Sequence, residues 1–133
     1  MKQAVISIGS NSEDRGFRVQ QAIEFLMGHF SGVSVSDVYG TEAWNQPGAP
    51  GYFNAVFVGR TTADENGVIA LLKGYEQEQG RTMTAEANGI VTIDLDLVMW
   101  DGRILRGNDF ERPYFNVGYR QLLADGAFES FEP

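Results

Sequence analysis

The stretch VTIDLDLVMWDG at residues 91–102 decides how the rest of the chain is interpreted. Apolar residues alternate with other residues through its first nine positions, which is typical of a strand with one buried face. Asp101-Gly102 then follows, and that dipeptide favours a two-residue turn between antiparallel strands. The sequence therefore predicts a long strand that ends in a hairpin and carries one apolar face, formed by Val91, Ile93, Leu95, Leu97 and Met99.

Three strand patterns and two helical patterns precede this stretch. The strands are predicted at Ala4–Ile8, at residues 33–39 and at Phe53–Arg60. Apolar residues spaced three and four apart predict a helix from about Asp14 to Gly32. The same spacing predicts a second helix that begins at a Thr62 or Asp64 cap and ends at Gly80.

The predicted elements follow the order β-α-β-β-α-β. With right-handed crossovers, this order gives a ferredoxin-like α+β fold, in which an antiparallel sheet has both helices on one face. A C-terminal hairpin and a short helix around residues 119–123 are added to it. Residues 40–51 (GTEAWNQPGAPG) show no periodicity and are predicted to form a long loop, which is often functional. A single domain of residues 1–133 is expected.

The composition excludes several classes of protein and site. The 133 residues carry ten Lys and Arg against eighteen Asp and Glu, a net charge of −8. This balance argues against sequence-independent binding of nucleic acid or of anionic membranes. The absence of cysteine and the single histidine, His29, exclude cysteine-based zinc sites and multi-histidine metal sites. With no signal-peptide pattern and no membrane-length apolar run, a cytoplasmic protein is expected.

Asp94 and Asp96 give the strongest chemical signal in the chain. Side chains two positions apart in a strand project from the same face, about 6–7 Å apart. Paired carboxylates suit Mg²⁺, which binds one or two carboxylates together with phosphate oxygens. Acidic residues are depleted in strands, and two like charges on one face repel each other unless a cation lies between them. The pair therefore favours a bound cation. The alternative is a half-exposed strand face with two solvated acids.

Two other local signals are weaker. Gly9-Ser10-Asn11, after the first strand, is compatible with a phosphate-binding turn, but an ordinary strand-to-helix turn explains it more simply. Tyr52 and Asn54 share one strand face, where a ring stacks on a planar heterocycle and an amide hydrogen-bonds its edge. Ordinary sheet packing is the alternative for this pair.

Six segments in order carry a family resemblance: GSN at 9–11, YGTEAW at 39–44, YFNA at 52–55, EQEQGR at 76–81, TIDLDL at 92–97 and RPYFNVGYR at 112–120. Together they resemble the 6-hydroxymethyl-7,8-dihydropterin pyrophosphokinase family of folate biosynthesis. The resemblance implies an enzyme that transfers a diphosphoryl group from ATP to the pterin hydroxymethyl group and releases AMP. It also implies two Mg²⁺ ions bound with ATP, and a ferredoxin-like core.

The resemblance implies roles for individual residues. The expected metal ligands are Asp94 and Asp96, and the expected catalytic residues are Asp94, Asp96, Arg81 and Arg120. The pterin is expected to contact Thr41, Glu42, Ala43, Trp44, Tyr52, Asn54 and Leu122. The nucleotide is expected to contact Lys73, Glu76, Arg112, Tyr114 and Phe115.

The chain departs from the family pattern mainly on the nucleotide side. Where the family has arginines and a tryptophan after Gly80-Arg81, this chain has Met83, Ala87, Asn88 and Val91. Asp109 and Tyr114 replace a family arginine and histidine. Because Met, Ala and Val cannot make bidentate contacts with phosphate, these changes lower the expected rate. Three arginines follow the strand that carries Asp94 and Asp96, and they are candidates to take the place of the missing family arginines: Arg103, Arg106 and Arg112.

Three functions are compatible with this sequence. The first is a working pyrophosphokinase that uses rearranged basic residues. The second is a non-catalytic pterin-binding or regulatory module on the same fold, and the third is an interaction domain that binds neither ligand. The expected partners are small molecules, ATP and hydroxymethyldihydropterin, with no nucleic acid and no membrane; the oligomeric state is left open.

Overall fold

One antiparallel sheet organises the computed structural model of the protein, which describes residues 1–43, 50–80 and 89–128. The strands are β1 (Lys2–Ser10), β2 (Ser31–Val35), β3 (Tyr39–Thr41), β4 (Tyr52–Thr61), β5 (Asp94–Trp100) and β6 (Arg103–Ile104). The helices are α1 (Arg15–Met27), α2 (Glu65–Glu78), α3 (Gly107–Glu111) and α4 (Pro113–Ala124). The strand order is β2-β4-β1-β5-β6, with β3 paired to β4. The predicted ferredoxin-like α+β fold is confirmed.

The helices α1 and α2 cover one face of the sheet. Because strand side chains alternate between faces, every second residue of β1, β4 and β5 points toward these helices. Asp64 caps α2 as predicted, since its Oδ1 accepts a hydrogen bond of 2.7 Å from the backbone N–H of Gly67. The resulting core contains Ile6, Ile8, Val19, Leu26, Phe57, Val68, Leu72, Leu95 and Leu97.

Among the described residues, α4 covers only part of the opposite face. Phe115 and Leu122 of α4 pack on a patch formed by Val5, Val56, Val58, Val98 and Met99. The sequence predicted only a short helix around residues 119–123, whereas α4 begins at Pro113, where proline is well tolerated in a first helical turn. A third layer therefore covers one half of this face, and none of the described helices lies over the other half.

Three details of the strands differ from the prediction. First, β5 begins at Asp94, so Val91 and Ile93, which were expected within it, precede the strand. The strand expected over residues 33–39 is divided at Ser36. The Ser36 N–H still donates to the Val56 carbonyl at 2.9 Å, but the Ser36 Oγ accepts the hydrogen bond from the Val56 N–H, also at 2.9 Å. The register of β5 against β1 shifts at Val98, so that Met99 joins Val98 in the α4-side core instead of lying with Leu97. A β-bulge of this kind inserts one residue and reverses the alternation beyond it.

The predicted hairpin turn is confirmed. Asp101 and Gly102 both have positive φ, 49° and 86°, as a two-residue type I′ turn requires. The turn joins β5 to β6, which pair through Met99 with Ile104 and through Trp100 with Arg103. Within the part of the chain that the structure describes, no helix is long and apolar enough to cross a membrane.

Gly118 sets how closely α4 approaches the sheet. A Cβ built at Gly118 would lie 2.7 Å from a Val56 methyl and 2.9 Å from Ser36 Oγ. We expect Gly118→Ala to destabilise the protein by about 1–3 kcal/mol because the helix must move outward. Gly74→Ala in α2 is the matched control, since its Cβ would meet nothing within 4 Å; it should stabilise by about 0.5–1 kcal/mol. Urea unfolding of both variants measures the difference, and equal effects would contradict this account.

Candidate active site

The open half of the sheet forms the floor of a cavity. Gly9 of β1 lies opposite Asn54 of β4 on one side and opposite Asp94 of β5 on the other. Two residues earlier in β1, Ser7 lies opposite Asp96. All of these positions face away from α1 and α2. An amide and two carboxylates therefore stand on one surface, with Gly9 and Ser7 of β1 between them.

The walls of this cavity come from β3 and from the segment that follows β6. Its volume is about 210 Å³. The lining residues include four of the predicted pterin contacts, both predicted metal ligands and one predicted nucleotide contact. They are Ser7, Gly9, Thr41, Glu42, Tyr52, Asn54, Asp94, Asp96, Arg106, Asp109 and Tyr114.

Asn54 is held rigidly at the end of the cavity nearest β3. It is 2% exposed, and its Nδ2 donates to Thr41 Oγ1 at 2.7 Å and to the Tyr39 carbonyl at 3.4 Å. Its Oδ1 lies 3.2 Å from where a Cβ of Gly9 would stand. The amide oxygen therefore lies over the glycine at the cavity floor, and Tyr52 is the next residue of β4 on the same face.

Asp94 and Asp96 form the acidic end of the cavity. The Asp96 side chain is 15% exposed. Burial, and then the neighbouring Asp94 carboxylate, raise the pKa of Asp96 to about 6. Two cations offset part of this charge, since Lys73 Nζ lies 3.4 Å and an Arg106 terminal nitrogen 3.9 Å from Asp96 Oδ1. In the described residues no group of three His, Cys, Asp or Glu is arranged to hold a metal ion, so a metal bound to this pair needs further ligands.

Glu76 of α2 fixes the backbone between the two aspartates. Its side chain is buried, and Oε2 accepts a hydrogen bond of 2.7 Å from the Leu95 N–H. Lys73 donates to the Leu95 carbonyl at 3.2 Å and contacts Glu76 Oε1 at 3.4 Å. These contacts place Glu76 and Lys73 along the backbone of Leu95, where they hold the strand between the two aspartates.

Glu76→Ala should destabilise the protein by about 1–3 kcal/mol because the buried Leu95 N–H is left without its acceptor. Glu78→Ala is the control, since Glu78 is exposed in the last turn of the same helix, where surface changes stay within about 0.5 kcal/mol. Urea denaturation of the two variants gives the comparison. A Glu76→Ala protein as stable as the control would show that this hydrogen bond does not hold β5.

A second groove adjoins the acidic end of the cavity. It lies between α2 and β5, has a volume of about 320 Å³, and shares Asp96 and Arg106 with the first cavity. Its walls are mainly apolar, with charged residues at the rim. The lining consists of Ile69, Leu72, Leu95, Leu97 and Leu105 together with Glu65, Lys73, Asp96 and Arg106.

Comparison with known proteins agrees with this geometry. Residues 5–123 match the family described as 7,8-dihydro-6-hydroxymethylpterin-pyrophosphokinase. The chain belongs to this family. It is also similar to a 2-amino-4-hydroxy-6-hydroxymethyldihydropteridine pyrophosphokinase of Aquifex aeolicus (strain VF5), with 25% identity over 114 residues, 86% of this chain and 71% of the relative.

Several residues that the pyrophosphokinase resemblance assigned to ligands line neither cavity nor groove. Phe115 and Leu122 are 0% and 1% exposed and lie in the core, because both are on the stripe of α4 that faces the sheet. Arg120 is on the exposed side of the same helix. Ala43 and Arg112 also contribute to neither lining. Arg81 and Trp44, with Met83, Ala87 and Asn88, lie outside the described residues.

The structure adds residues to the site that were not assigned from the sequence. Ser7 and Gly9 line its floor because the register of β1 places them between β4 and β5; the serine within an otherwise apolar strand was a signal for this. Asp109 joins them because α3 turns back over the sheet. Of the three candidate arginines, Arg106 lines the cavity, whereas Arg103 pairs with Glu65 at 3.0 Å on the surface.

Tyr39 ties the start of α4 to the cavity wall. Its hydroxyl donates to the Tyr114 carbonyl at 2.6 Å. Burial raises the pKa of Tyr39 to about 12, so this hydroxyl stays protonated and remains a donor. Tyr114, whose pKa is also raised by burial, donates its own hydroxyl to Asp109. The wall that carries Asp109 and Tyr114 is thereby fixed to β3.

Proposed function

We propose that this protein transfers a diphosphoryl group from ATP to the hydroxymethyl group of 6-hydroxymethyl-7,8-dihydropterin. Membership of the pyrophosphokinase family supports this proposal. The observation that carries it is the single cavity floor that joins an oriented amide, Asn54, to a carboxylate pair, Asp94 and Asp96. One end suits a flat heterocycle and the other suits a metal-bound polyphosphate.

In this proposal, the pterin lies over Gly9, with its polar edge on Asn54. The amide oxygen accepts from a ring N–H or amino group, and Thr41 holds the amide in that orientation. The aromatic ring of Tyr52 supplies a stacking surface. Gly9 contributes by having no side chain, since a Cβ there would lie 3.2 Å from Asn54 Oδ1 and would crowd the amide oxygen that the pterin edge meets.

The carboxylates of Asp94 and Asp96 fit Mg²⁺. They share one strand face, and the raised pKa of Asp96 reflects a buried acid beside a second acid, which a divalent cation would relieve. Bound there, Mg²⁺ would neutralise phosphate oxygens and polarise the phosphorus that is transferred. The protein's part is to hold both carboxylates on a strand that Glu76 and Lys73 keep in place.

The nucleotide, in the same proposal, occupies the adjoining groove. Its apolar walls suit a base, and Lys73 at the rim suits the phosphates. Because the groove and the cavity meet at Asp96, the β-phosphorus lies near the pterin hydroxymethyl oxygen. That oxygen attacks the β-phosphorus and loses its proton to solvent, the bond between the β-phosphorus and the α,β-bridging oxygen breaks, and AMP leaves with the bridging oxygen. The residues act by positioning the two substrates and by excluding water.

The second candidate is a pterin-binding module without catalysis. The charge that the described residues give the cavity favours it, since Glu42, Asp94, Asp96 and Asp109 line the cavity and, among those residues, Arg106 is the one arginine in the lining. Such a module would bind hydroxymethyldihydropterin and would not bind Mg-ATP. Thermal unfolding with each ligand separates the two candidates, because only a ligand that binds the folded protein raises its melting temperature.

An assay of AMP formation tests the proposed transfer directly. Purified protein is incubated with ATP, Mg²⁺ and hydroxymethyldihydropterin, and the nucleotides are separated by chromatography. The proposal predicts AMP and pterin diphosphate in equal amounts. Formation of ADP would indicate a different transfer. No AMP, together with stabilisation by pterin alone, would establish the second candidate instead.

Asn54→Ala should weaken binding of hydroxymethyldihydropterin by about 10–100-fold, since each lost factor of ten corresponds to about 1.4 kcal/mol. Binding of Mg²⁺ with α,β-methylene-ATP should stay within about twofold, as expected for a site that this residue does not contact. Asn116→Ala is the control for losing an amide elsewhere, because Asn116 bonds to the Phe110 carbonyl and does not line the cavity. Calorimetric titration of both ligands measures these effects. Unchanged pterin affinity in Asn54→Ala would remove the amide from the proposed site.

A further inference from the structure

Arg106 occupies the junction between the cavity and the groove. Its backbone N–H, like that of Leu105, donates to the carbonyl of Val98, at 3.3 and 2.8 Å respectively. Val98 is the residue at which the β5 register shifts. The bulge in β5 therefore anchors the segment after β6 close to Asp96. This contact brings an arginine from outside the sheet to the acidic end of the cavity.

Two neighbours orient the Arg106 side chain. The Nε donates to Asp109 Oδ2, and the Tyr114 hydroxyl donates to the other oxygen of the same carboxylate. A terminal nitrogen of the guanidinium then lies 3.9 Å from Asp96 Oδ1. Arginine has five donors in a fixed plane, and the bond to Asp109 uses the Nε–H. The terminal nitrogens are not used by that bond, and one of them faces Asp96.

We infer that Arg106 is a substrate-contacting residue, whose guanidinium binds the polyphosphate of the nucleotide where the groove meets the cavity, and that Asp109 and Tyr114 position it. This inference rests on the proposed function. A chain of phosphates that runs from the groove to the Asp94–Asp96 pair must pass Arg106, which lines both spaces. Its planar fork suits phosphate oxygens, and half of its side chain, 50%, is exposed to receive them.

The same geometry explains why an acid stands in a phosphate-binding cavity. Asp109 is 15% exposed on its side chain and contacts Arg106 and Tyr114. Its charge is therefore largely matched by the guanidinium, and it acts on phosphate only through Arg106. Asp109 is a positioning residue, and Arg106 is the group that reaches the substrate.

Four variants test this inference: Arg106→Gln, Arg106→Lys, Asp109→Asn and the control Arg103→Gln. Arg103 precedes Arg106 by three residues on the same hairpin and pairs with Glu65 on the surface. For each protein, two quantities are measured: kcat and KM for ATP in AMP formation, and the affinity for Mg²⁺ with α,β-methylene-ATP by calorimetry. Circular dichroism confirms that each variant is folded.

Arg106→Gln should lower kcat/KM for ATP about 100- to 1000-fold, in the range for loss of one charge-assisted donor to the transferred group. Arg106→Lys should recover part of this loss, since a point charge replaces the bidentate fork. Asp109→Asn should raise KM more than it lowers kcat, because it disorders a binding arginine without removing it. Arg103→Gln and the pterin affinity of every variant should stay within about twofold of wild type.

The inference would be overturned if Arg106→Gln stayed within twofold of wild type both in kcat/KM for ATP and in affinity for Mg²⁺ with α,β-methylene-ATP. In that case the proposed function would still stand, because the wild-type protein forms AMP. If wild type forms no AMP, the proposed function fails by itself. The calorimetric comparison still decides the inference in that case: weaker binding of Mg²⁺ with α,β-methylene-ATP in Arg106→Gln than in Arg103→Gln supports it, and equal or absent binding overturns it.

Discussion

Replacing Asp96 by asparagine should reduce AMP formation by at least about 1000-fold and, at the same time, make the ligand-free protein more stable. The rate falls because the carboxylate that would hold the metal is lost, and metal-bound charge stabilisation is a large part of phosphoryl-transfer catalysis. Rates are measured with Mg²⁺, ATP and hydroxymethyldihydropterin, and stability is measured by urea denaturation at pH 8 without metal.

The gain in stability follows from the pKa of Asp96. Burial and Asp94 raise this pKa to about 6 from its ordinary value of 3.8, so the folded protein binds the proton more tightly than the unfolded chain. The stabilising contribution is complete below the unfolded value and is lost as the pH rises through about 6. At pH 8 the ionised acid therefore costs about 1–3 kcal/mol, a cost that asparagine removes.

Asp101→Asn is the matched control for Asp96→Asn. Asp101 lies in the β5–β6 turn, where asparagine tolerates the positive φ of 49°. The Asp101→Asn variant removes one negative charge, as Asp96→Asn does, but from the surface. Its rate of AMP formation should therefore be near that of wild type, and its free energy of unfolding should change little. Asp96→Asn that keeps more than a tenth of the wild-type rate, or that is less stable than the control at pH 8, would contradict the assignment.

Magnesium should raise the melting temperature of the protein by about 5–10 °C when α,β-methylene-ATP is also present, as expected for ligands near 100 times their dissociation constant. Chelation of the metal should stop AMP formation. The shift should be larger at pH 8 than at pH 5, because at pH 5 a proton occupies Asp96, whose pKa is about 6, and competes with the metal.

Asp94→Asn provides the control for magnesium stabilisation. Asparagine has nearly the same size as aspartate, so the fold and the groove should be kept while one of the two carboxylates is removed. The melting temperature of this variant should rise much less with Mg²⁺ than that of wild type. The same shift at pH 5 and pH 8, or a full shift in Asp94→Asn, would mean that the cation binds somewhere other than the Asp94–Asp96 pair.

Most of the fold could be predicted from alternation and helical spacing, because these patterns report which side chains meet a core. The 91–102 stretch and the Asp101-Gly102 turn predicted β5 and its hairpin, and Asp64 predicted the start of α2. The bulge at Val98 could not be predicted, since Val98 and Met99 are both apolar and both faces of the sheet are buried there. Helix α4 was underestimated because few of its residues are buried: Phe115, Gly118 and Leu122.

The candidate site was predictable where one strand carries the chemistry. Asp94 and Asp96, like Tyr52 and Asn54, are two residues apart, so a shared face followed from the strand period. Contacts between distant segments were not predictable in this way. The junction of Arg106, Asp109 and Tyr114 depends on the register shift and on where α3 turns. Leu122 and Phe115 were assigned by position in the family pattern, and α4 turns them into the core.

The position of the metal can be determined in crystals grown with Mn²⁺, α,β-methylene-ATP and hydroxymethyldihydropterin, with diffraction recorded at the manganese absorption edge. We expect anomalous density in front of Asp94 and Asp96, with phosphate oxygens completing the coordination and the pterin ring on Asn54. Manganese bound elsewhere, or nucleotide bound with no metal at these two carboxylates, would contradict the proposed metal site.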